Sequence, residues 1–516
     1  MLMKKNNLTI VSLVVILITV LTKLIGFGRE LVLAYYFSAS EISDAYLLAS
    51  DIVTIVFGWI TTFSIVYTPI YTSIFIKEGK RKGLDYTNKI ILIVSCMSFL
   101  AVIVTELAPE LFVNIVASGL GIQEKKYVVS FLRVVIFSIG FNALAEVFVS
   151  YLNLNEEYTI ASSVSIPFNV IEVVAIAVAG YYKIPIIMGT GIVCGNIVKM
   201  LLAYYVSTKK EFRFINKIVL NDIYLKETLV IFIPIYLNNM LVEINTLIDK
   251  SFASYLKVGS VTQLNYGAVT RRFIFNVFSV VISSIFFPNF SKIIAEDKKD
   301  KATAIFDKTV SLAIVIFIPI TFLAVIFSQN IMKLLFGHGA FSNAISTVNS
   351  IFSAYCIGLT GMIVNELCSK VIYAFKNSKI PMIISVINIV CNLFFNIILI
   401  KKYDAPGLAL ATSVSQLVVM PVYLFIINRK FLIFSKKKIF KNLIQSFLSS
   451  CFLAIVLWDF NQNYIVGYIH SEHTILVTGV GAIFFIGLYF ALMYIQKNEA
   501  ILELITYKKT INSKKV

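Results

Sequence analysis

Apolar runs of 18 or more residues recur from one end of the chain to the other, separated by short polar connections. Each run is long enough to cross a hydrocarbon core of about 30 Å as a helix. The pattern predicts an all-α polytopic membrane protein with fourteen spans. They fall at approximately residues 8–37, 43–75, 87–108, 128–153, 158–181, 184–206, 227–256, 262–291, 307–328, 345–375, 380–400, 405–427, 441–459 and 474–496. No small-x-small cleavage site precedes Lys23, so the first run is expected to stay as an uncleaved span.

The connections alternate in charge. KEGKRK from Lys77, KKEFR from Lys209, EDKKDK from Glu296, FKNSK from Phe375 and RKFLIFSKKK from Arg429 fall on one side, with Lys4, Lys5 and the tail ending YKKTINSKKV. SASEIS, YYKIP, FGHGAFSN and NQNYIVGYIHSEHT fall on the other; NLNEEY, from Asn153, is an inner loop without a cation. By the positive-inside rule both termini are cytoplasmic. Composition agrees: of 516 residues 58% are hydrophobic and 14% charged, with mean hydropathy +0.86. The net charge of +17 therefore reads as topology rather than as a nucleic-acid partner. Six cysteines lie in apolar runs without CxxC spacing, and no histidine has a metal-ligand partner at useful spacing.

The chain also repeats itself about 220 residues apart. Thr68–Lys82 aligns with Phe287–Lys301, and Tyr35, Ser40 and Tyr46 fall on Tyr255, Ser260 and Tyr266. A six-span offset preserves span direction, so the repeat is parallel, as in secondary-transporter folds. The expected organisation is an N-terminal six-helix lobe (1–210), a C-terminal six-helix lobe (211–430) related to it by a pseudo-two-fold, two additional spans (431–497) and a cytoplasmic basic, amphipathic tail (498–516).

Charges inside the spans are the candidate chemistry. Lys23, Arg29, Glu30, Asp44 and Asp51 interrupt the first two runs, at roughly 2.5–3.5 kcal/mol each near a bilayer centre. Gly26 and Gly28 bracket Phe27 just before Arg29, permitting a bend or a close backbone approach. Two readings stand side by side: a kinked span whose Arg29 pairs with a nearby acid, or a cationic patch on a wet pathway. Elsewhere Glu366 and Lys370 read as a neutralised i, i+4 couple. Arg133 with Glu146, and Glu172, read as cavity lining or helix cross-links.

The run from Thr22 to Glu30 and Ser43-Asp44-Ala45-Tyr46 resemble the start of the MurJ family, the lipid II flippases of the MATE and polysaccharide-flippase superfamily. INTLIDKSFAS from Ile244, GSVTQLNY from Gly259, Phe287-Pro288, GHGAF from Gly337, AYCIGLTG from Ala354 and GLALATS from Gly407 follow in the family's order. The resemblance implies a V-shaped two-lobe bundle in the bacterial cytoplasmic membrane. Its cargo would be an undecaprenyl-pyrophosphate-linked saccharide, passed from inner to outer leaflet by alternating access. It further implies that Lys23 and Arg29, on family arginine positions, and Thr22, on a family serine, bind the pyrophosphate headgroup. Gly26, Gly28 and Asp44 would serve gating.

The chain also departs from that family. A family arginine in the second span falls on Val56 or Phe57, and an Asp-Arg pair in the eighth becomes Ala268-Val269. Arg271 and Arg272 follow two or three residues later and are the candidate substitutes. Flipping of another lipid-linked oligosaccharide, of exopolysaccharide or O-unit type, is the near alternative, and a MATE-like exporter the more distant one.

No nucleotide loop, HExxH or nucleophile elbow is present, so neither an enzyme nor an ATP-driven pump is expected. No cofactor is expected either, beyond sodium as candidate coupling ion. Asp249, Asn392, Asn396 and Thr412 would offer it one carboxylate and neutral hard oxygens. The protein is expected to be a monomer in the lipid bilayer that associates with the cell-wall synthesis machinery.

Overall fold

The structure, a computed structural model, describes residues 5–214, 222–460 and 474–502. Among these no strand occurs. Eleven helices come first: α1 (Lys5–Phe37), α2 (Glu41–Val56), α3 (Trp59–Glu78), α4 (Lys80–Leu107), α5 (Pro109–Val116), α6 (Ile122–Val135), α7 (Ser138–Leu154), α8 (Tyr158–Ser163), α9 (Ser165–Tyr182), α10 (Ile186–Lys209) and α11 (Ile223–Ala253). Nine more follow: α12 (Ser260–Val281), α13 (Phe287–Ala295), α14 (Lys299–Ile326), α15 (Ser328–Phe336), α16 (Ile345–Ile357), α17 (Leu359–Ala374), α18 (Lys379–Lys430), α19 (Lys436–Phe460) and α20 (Thr474–Ile495). The loop bearing His470 and His473, and the tail beyond residue 502, lie outside the described residues.

Local chemistry explains several boundaries. Ser40 caps α2 through the Ser43 amide at 3.4 Å. Gly79, at φ +84°, separates α3 from α4, a conformation that L side chains rarely adopt. Asp404 is non-helical (φ 50°, ψ −133°) inside the 52-residue α18, and Pro406 follows it. That break falls between the expected eleventh and twelfth spans. Among the described residues, eight helices are long and apolar enough to cross a membrane, or up to ten if the bent pairs α6–α7 and α16–α17 each count once. Fourteen spans were expected; α18 counts once here although it covers two of them.

The internal repeat reappears in the order of elements. α3 gives way to α4 at Gly79, and α13 to α14 at Glu296–Lys298. A short helix follows each long one, α5 after α4 and α15 after α14. The next span in each half is bent by 42°.

The chain divides into two compact units. The first holds residues up to Thr262 with Gly339–Phe341, the second Gln263–His338 and everything from Ser342. In the first, α9 packs on α1 and α10, α2 on α6, and α11 on α3. Lipid gives helix pairs no hydrophobic drive of their own, so close packing must hold them. A Cβ on Gly191 would stand 2.3 Å from the Ala175 Cβ, so α9 and α10 approach as only glycine allows. In the second unit, Phe290, Phe306, Val310, Ile314, Val364 and Tyr423 belong to one buried core. α19 and α20 attach to it through a further apolar cluster, fixed where the Tyr489 hydroxyl donates to the Val315 carbonyl at 2.8 Å.

Candidate functional site

α1 runs as one helix through Gly26 and Gly28. A Cβ on Gly26 would meet Asn169 Oδ1 of α9 at 3.2 Å, whereas Gly28 faces open space. The first glycine therefore serves a close approach. That approach brings Glu172, one turn beyond Asn169, to Arg29: Nη1 donates to Glu172 Oε2 at 2.9 Å, and Nη2 to Glu30 Oε1 at 2.6 Å. Both carboxylates are buried, while the Arg29 side chain keeps 30% of its surface. Arg29 therefore pairs with nearby acids, as one of the two sequence readings has it. Taken as one arginine and two carboxylates, the group carries a formal charge of −1.

Lys23 is exposed and makes no ion pair with any described residue. Thr22 donates its hydroxyl to the Ile18 carbonyl at 2.8 Å, leaving the oxygen's lone pairs for other donors. Thus the Thr22–Glu30 stretch of α1 offers one cation paired by protein carboxylates, Arg29, and one without an ion pair to any described residue, Lys23.

Asp44 lies buried near the start of α2. Its carboxylate accepts from the Gly259 and Thr262 amides, each at 2.7 Å, and from the Thr262 hydroxyl at 2.5 Å. It thereby caps α12 from another helix, with a negative charge at the dipole's positive end. Gly259 sits at φ +87°, and a Cβ there would meet the Ala39 carbonyl at 2.4 Å, so the cap requires glycine. Two turns further along α2, Asp51 accepts from Lys250 of α11. Outside the spans, burial pushes the Asp222 carboxyl up, but Lys89 at 2.5 Å and the Tyr224 amide outweigh it and hold it below its ordinary range.

In the second unit, Arg271 is buried with its guanidinium 4.4 Å from the Tyr355 ring centroid, while Arg272 is exposed. Asn392, Asn396 and Thr412 form a buried ladder within α18: Asn396 donates to Asn392 at 3.0 Å, and Asn392 to the Thr412 hydroxyl at 3.2 Å. Its neutral hard oxygens are of the kind sodium accepts. Asp249 is buried and belongs to the first unit.

Several partners escaped sequence reasoning. Glu146 pairs with Lys199 at 2.6 Å rather than with Arg133, whose nearest carboxylate is Glu106 at 3.9 Å. Asp51–Lys250 and Lys89–Asp222 were not foreseen. The usable signal was that single opposite charges in separate apolar runs are costly unless they meet. Glu366 and Lys370 form the expected couple at 3.5 Å.

The profile of the family described as "Lipid II flippase MurJ" matches residues 33–478. A Buchnera aphidicola protein described as "Probable lipid II flippase MurJ" is 26% identical over 419 residues, 78% of this chain and 79% of that protein. A Thermotoga maritima protein of the same description is 25% identical over 453 residues, 86% and 90% of the two chains. Among solved structures, a lipid II flippase MurJ in an inward closed conformation superposes with TM-score 0.79 at 22% identity, covering 95% of this chain and all of the other. An inward-facing MATE transporter reaches TM-score 0.66 at 13% identity, covering 80% and 96%.

Proposed function

Because the chain belongs to the lipid II flippase MurJ family, we propose that it carries an undecaprenyl-pyrophosphate-linked saccharide, the peptidoglycan precursor, from the inner to the outer leaflet by alternating access. The observation that carries this reading is a family match running through both compact units, residues 33–478. We assign the chain to the bacterial cytoplasmic membrane with fourteen spans and both termini cytoplasmic, on the alternation of its basic loops.

A pyrophosphate headgroup is anionic, and moving it through a membrane interior requires fixed positive charge in place of its hydration. Lys23 makes no ion pair with any described residue, and Arg272 is the exposed one of its pair. These two make the first contacts. Arg29 is held in one orientation by Glu30 and Glu172, so a phosphate reaching it must compete with those carboxylates. Arg271 lends its charge from the face of Tyr355. Asp44 acts on the cycle through the start of α12, which its carboxylate caps. For energy coupling, sodium remains the candidate ion, with Asp249 as its charged ligand.

The test is complementation of cells depleted of their lipid II flippase, with lipid II accessibility at the outer face as readout. Wild type and Lys23→Arg restore it; Lys23→Ala, at wild-type membrane levels, does not. Full restoration by Lys23→Ala removes the headgroup role. A second reading, flipping of another lipid-linked oligosaccharide, is favoured by the apolar residues Val56, Phe57, Ala268 and Val269 at family charge positions. It wins if lipid II stays inaccessible while such a glycan is exported.

A further inference from the structure

A pocket of about 490 Å³ lies apart from the Arg29 group, between α5 and the face of α6 that runs from Ile122 to Arg133. Lys125, Lys126 and Arg133 line it, together with Glu110, Asn114 and Ser130. Lys125 donates to Asn114 Oδ1 at 2.8 Å, which points its ammonium across the pocket. Arg133 approaches Glu106 at 3.9 Å, and Lys126 is exposed with no ion pair to any described residue. Within the lining, three cations face one carboxylate. With Glu106 beside Arg133 counted as well, three cations stand against two carboxylates, and Lys126 is a cation that no described carboxylate pairs.

The pocket's flank is apolar and uncovered. Leu107 is 81% exposed and Ile122 82%, with Leu111 and Ile115 also exposed along α5. A soluble domain would bury such residues; at the end of a membrane helix they face acyl chains. α4 runs 28 residues from Lys80 to Leu107, so the pocket lies at the end opposite the basic Lys80–Lys82 cluster. With that cluster cytoplasmic, as the proposed topology has it, the pocket opens at the outer leaflet.

We propose that this pocket binds the anionic phosphate headgroup of a membrane lipid at the outer interface, with Lys125, Lys126 and Arg133 as its ligands. Lysine supplies point charges to the phosphate oxygens and arginine a planar fork, while Asn114 fixes Lys125. The uncovered leucines and isoleucines hold the first methylenes of the chains. An anionic phospholipid and the undecaprenyl pyrophosphate carrier present the same chemistry. Only the orientation of the site rests on the proposed function; binding itself does not require transport.

The full chain, purified in detergent, is titrated with phosphatidylglycerol, phosphatidylcholine and undecaprenyl pyrophosphate, and bound lipid is counted by native mass spectrometry. Wild type binds at least one of the two anionic lipids more tightly than phosphatidylcholine, and the stronger of them identifies the source. Each cation removed weakens that binding about fivefold. The charge-retaining variant Lys125→Arg/Lys126→Arg keeps it, whereas Lys125→Ala/Lys126→Ala/Arg133→Ala loses it. Should the triple variant not fold, Lys126→Glu at its exposed position gives the same reading with a loss of fivefold or more. Equal binding of phosphatidylcholine, or unchanged binding in the folded variants, overturns the proposal. Loss of lipid II exposure in cells bears on the transport reading alone.

Discussion

Arg29 offers a measurement that separates structure from cargo binding. Its guanidinium bridges two buried carboxylates at 2.6 and 2.9 Å. With charge centres about 4 Å apart and an effective dielectric near 20, each attraction amounts to about 4 kcal/mol before desolvation and Glu30–Glu172 repulsion are subtracted. Removing the arginine strands both carboxylates, whereas removing Glu172 leaves Arg29 paired with Glu30 and still 30% solvated. Breaking a buried pair costs roughly 3–5 kcal/mol, and partial exposure places Arg29→Ala near the lower end. A loss of about 3 kcal/mol corresponds to a fall in Tm of roughly 6–12 °C for a unit of this size. The assay is thermal unfolding of purified protein for Arg29→Ala, Glu172→Ala and the double variant. The double variant recovers part of the arginine loss, because one stranded carboxylate is gone. A double loss equal to the sum of the singles, or an unchanged Tm for Arg29→Ala, refutes the triad as a structural unit.

Asp44→Ala removes three charge-assisted hydrogen bonds from the start of α12 and lowers stability by about 3 kcal/mol, read by thermal unfolding; Asp44→Asn, which keeps an acceptor, loses less. Cysteines introduced at Ser40 and His338 are labelled from outside intact cells, and those at Lys80, Lys298 and Lys437 are not; labelling at Lys298 breaks the topology. Sodium raises the thermal stability of wild type relative to a bulky organic cation, and Asp249→Asn abolishes that difference while lipid II binding through Lys23 persists. No sodium effect in wild type leaves membrane potential, about 2.3 kcal/mol per charge per 100 mV, as the driver.

Sequence alone determined the class, the rough positions of the helices and the internal repeat, because each is written locally. Hydrophobic run length reports bilayer thickness, and Pro288 with its following basic loop reports its partner segment at Pro69. The candidate residues on α1 were legible for the same reason: a charge in an apolar run is conspicuous wherever the chain goes. What no local signal carries is which opposite charge meets it. Arg29 could have found any acid in its half; the glycine at position 26, letting α9 approach, brought Glu172 to it. Lys199 took Glu146, which sequence had offered to Arg133, because α10 packs on α7. Asp44 was conspicuous, yet its role as a cap belongs to the amides of Gly259 and Thr262, more than two hundred residues away. Coulomb and hydrogen-bond energies fall off within a few ångströms, so pairings exist only once tertiary packing has chosen the neighbours.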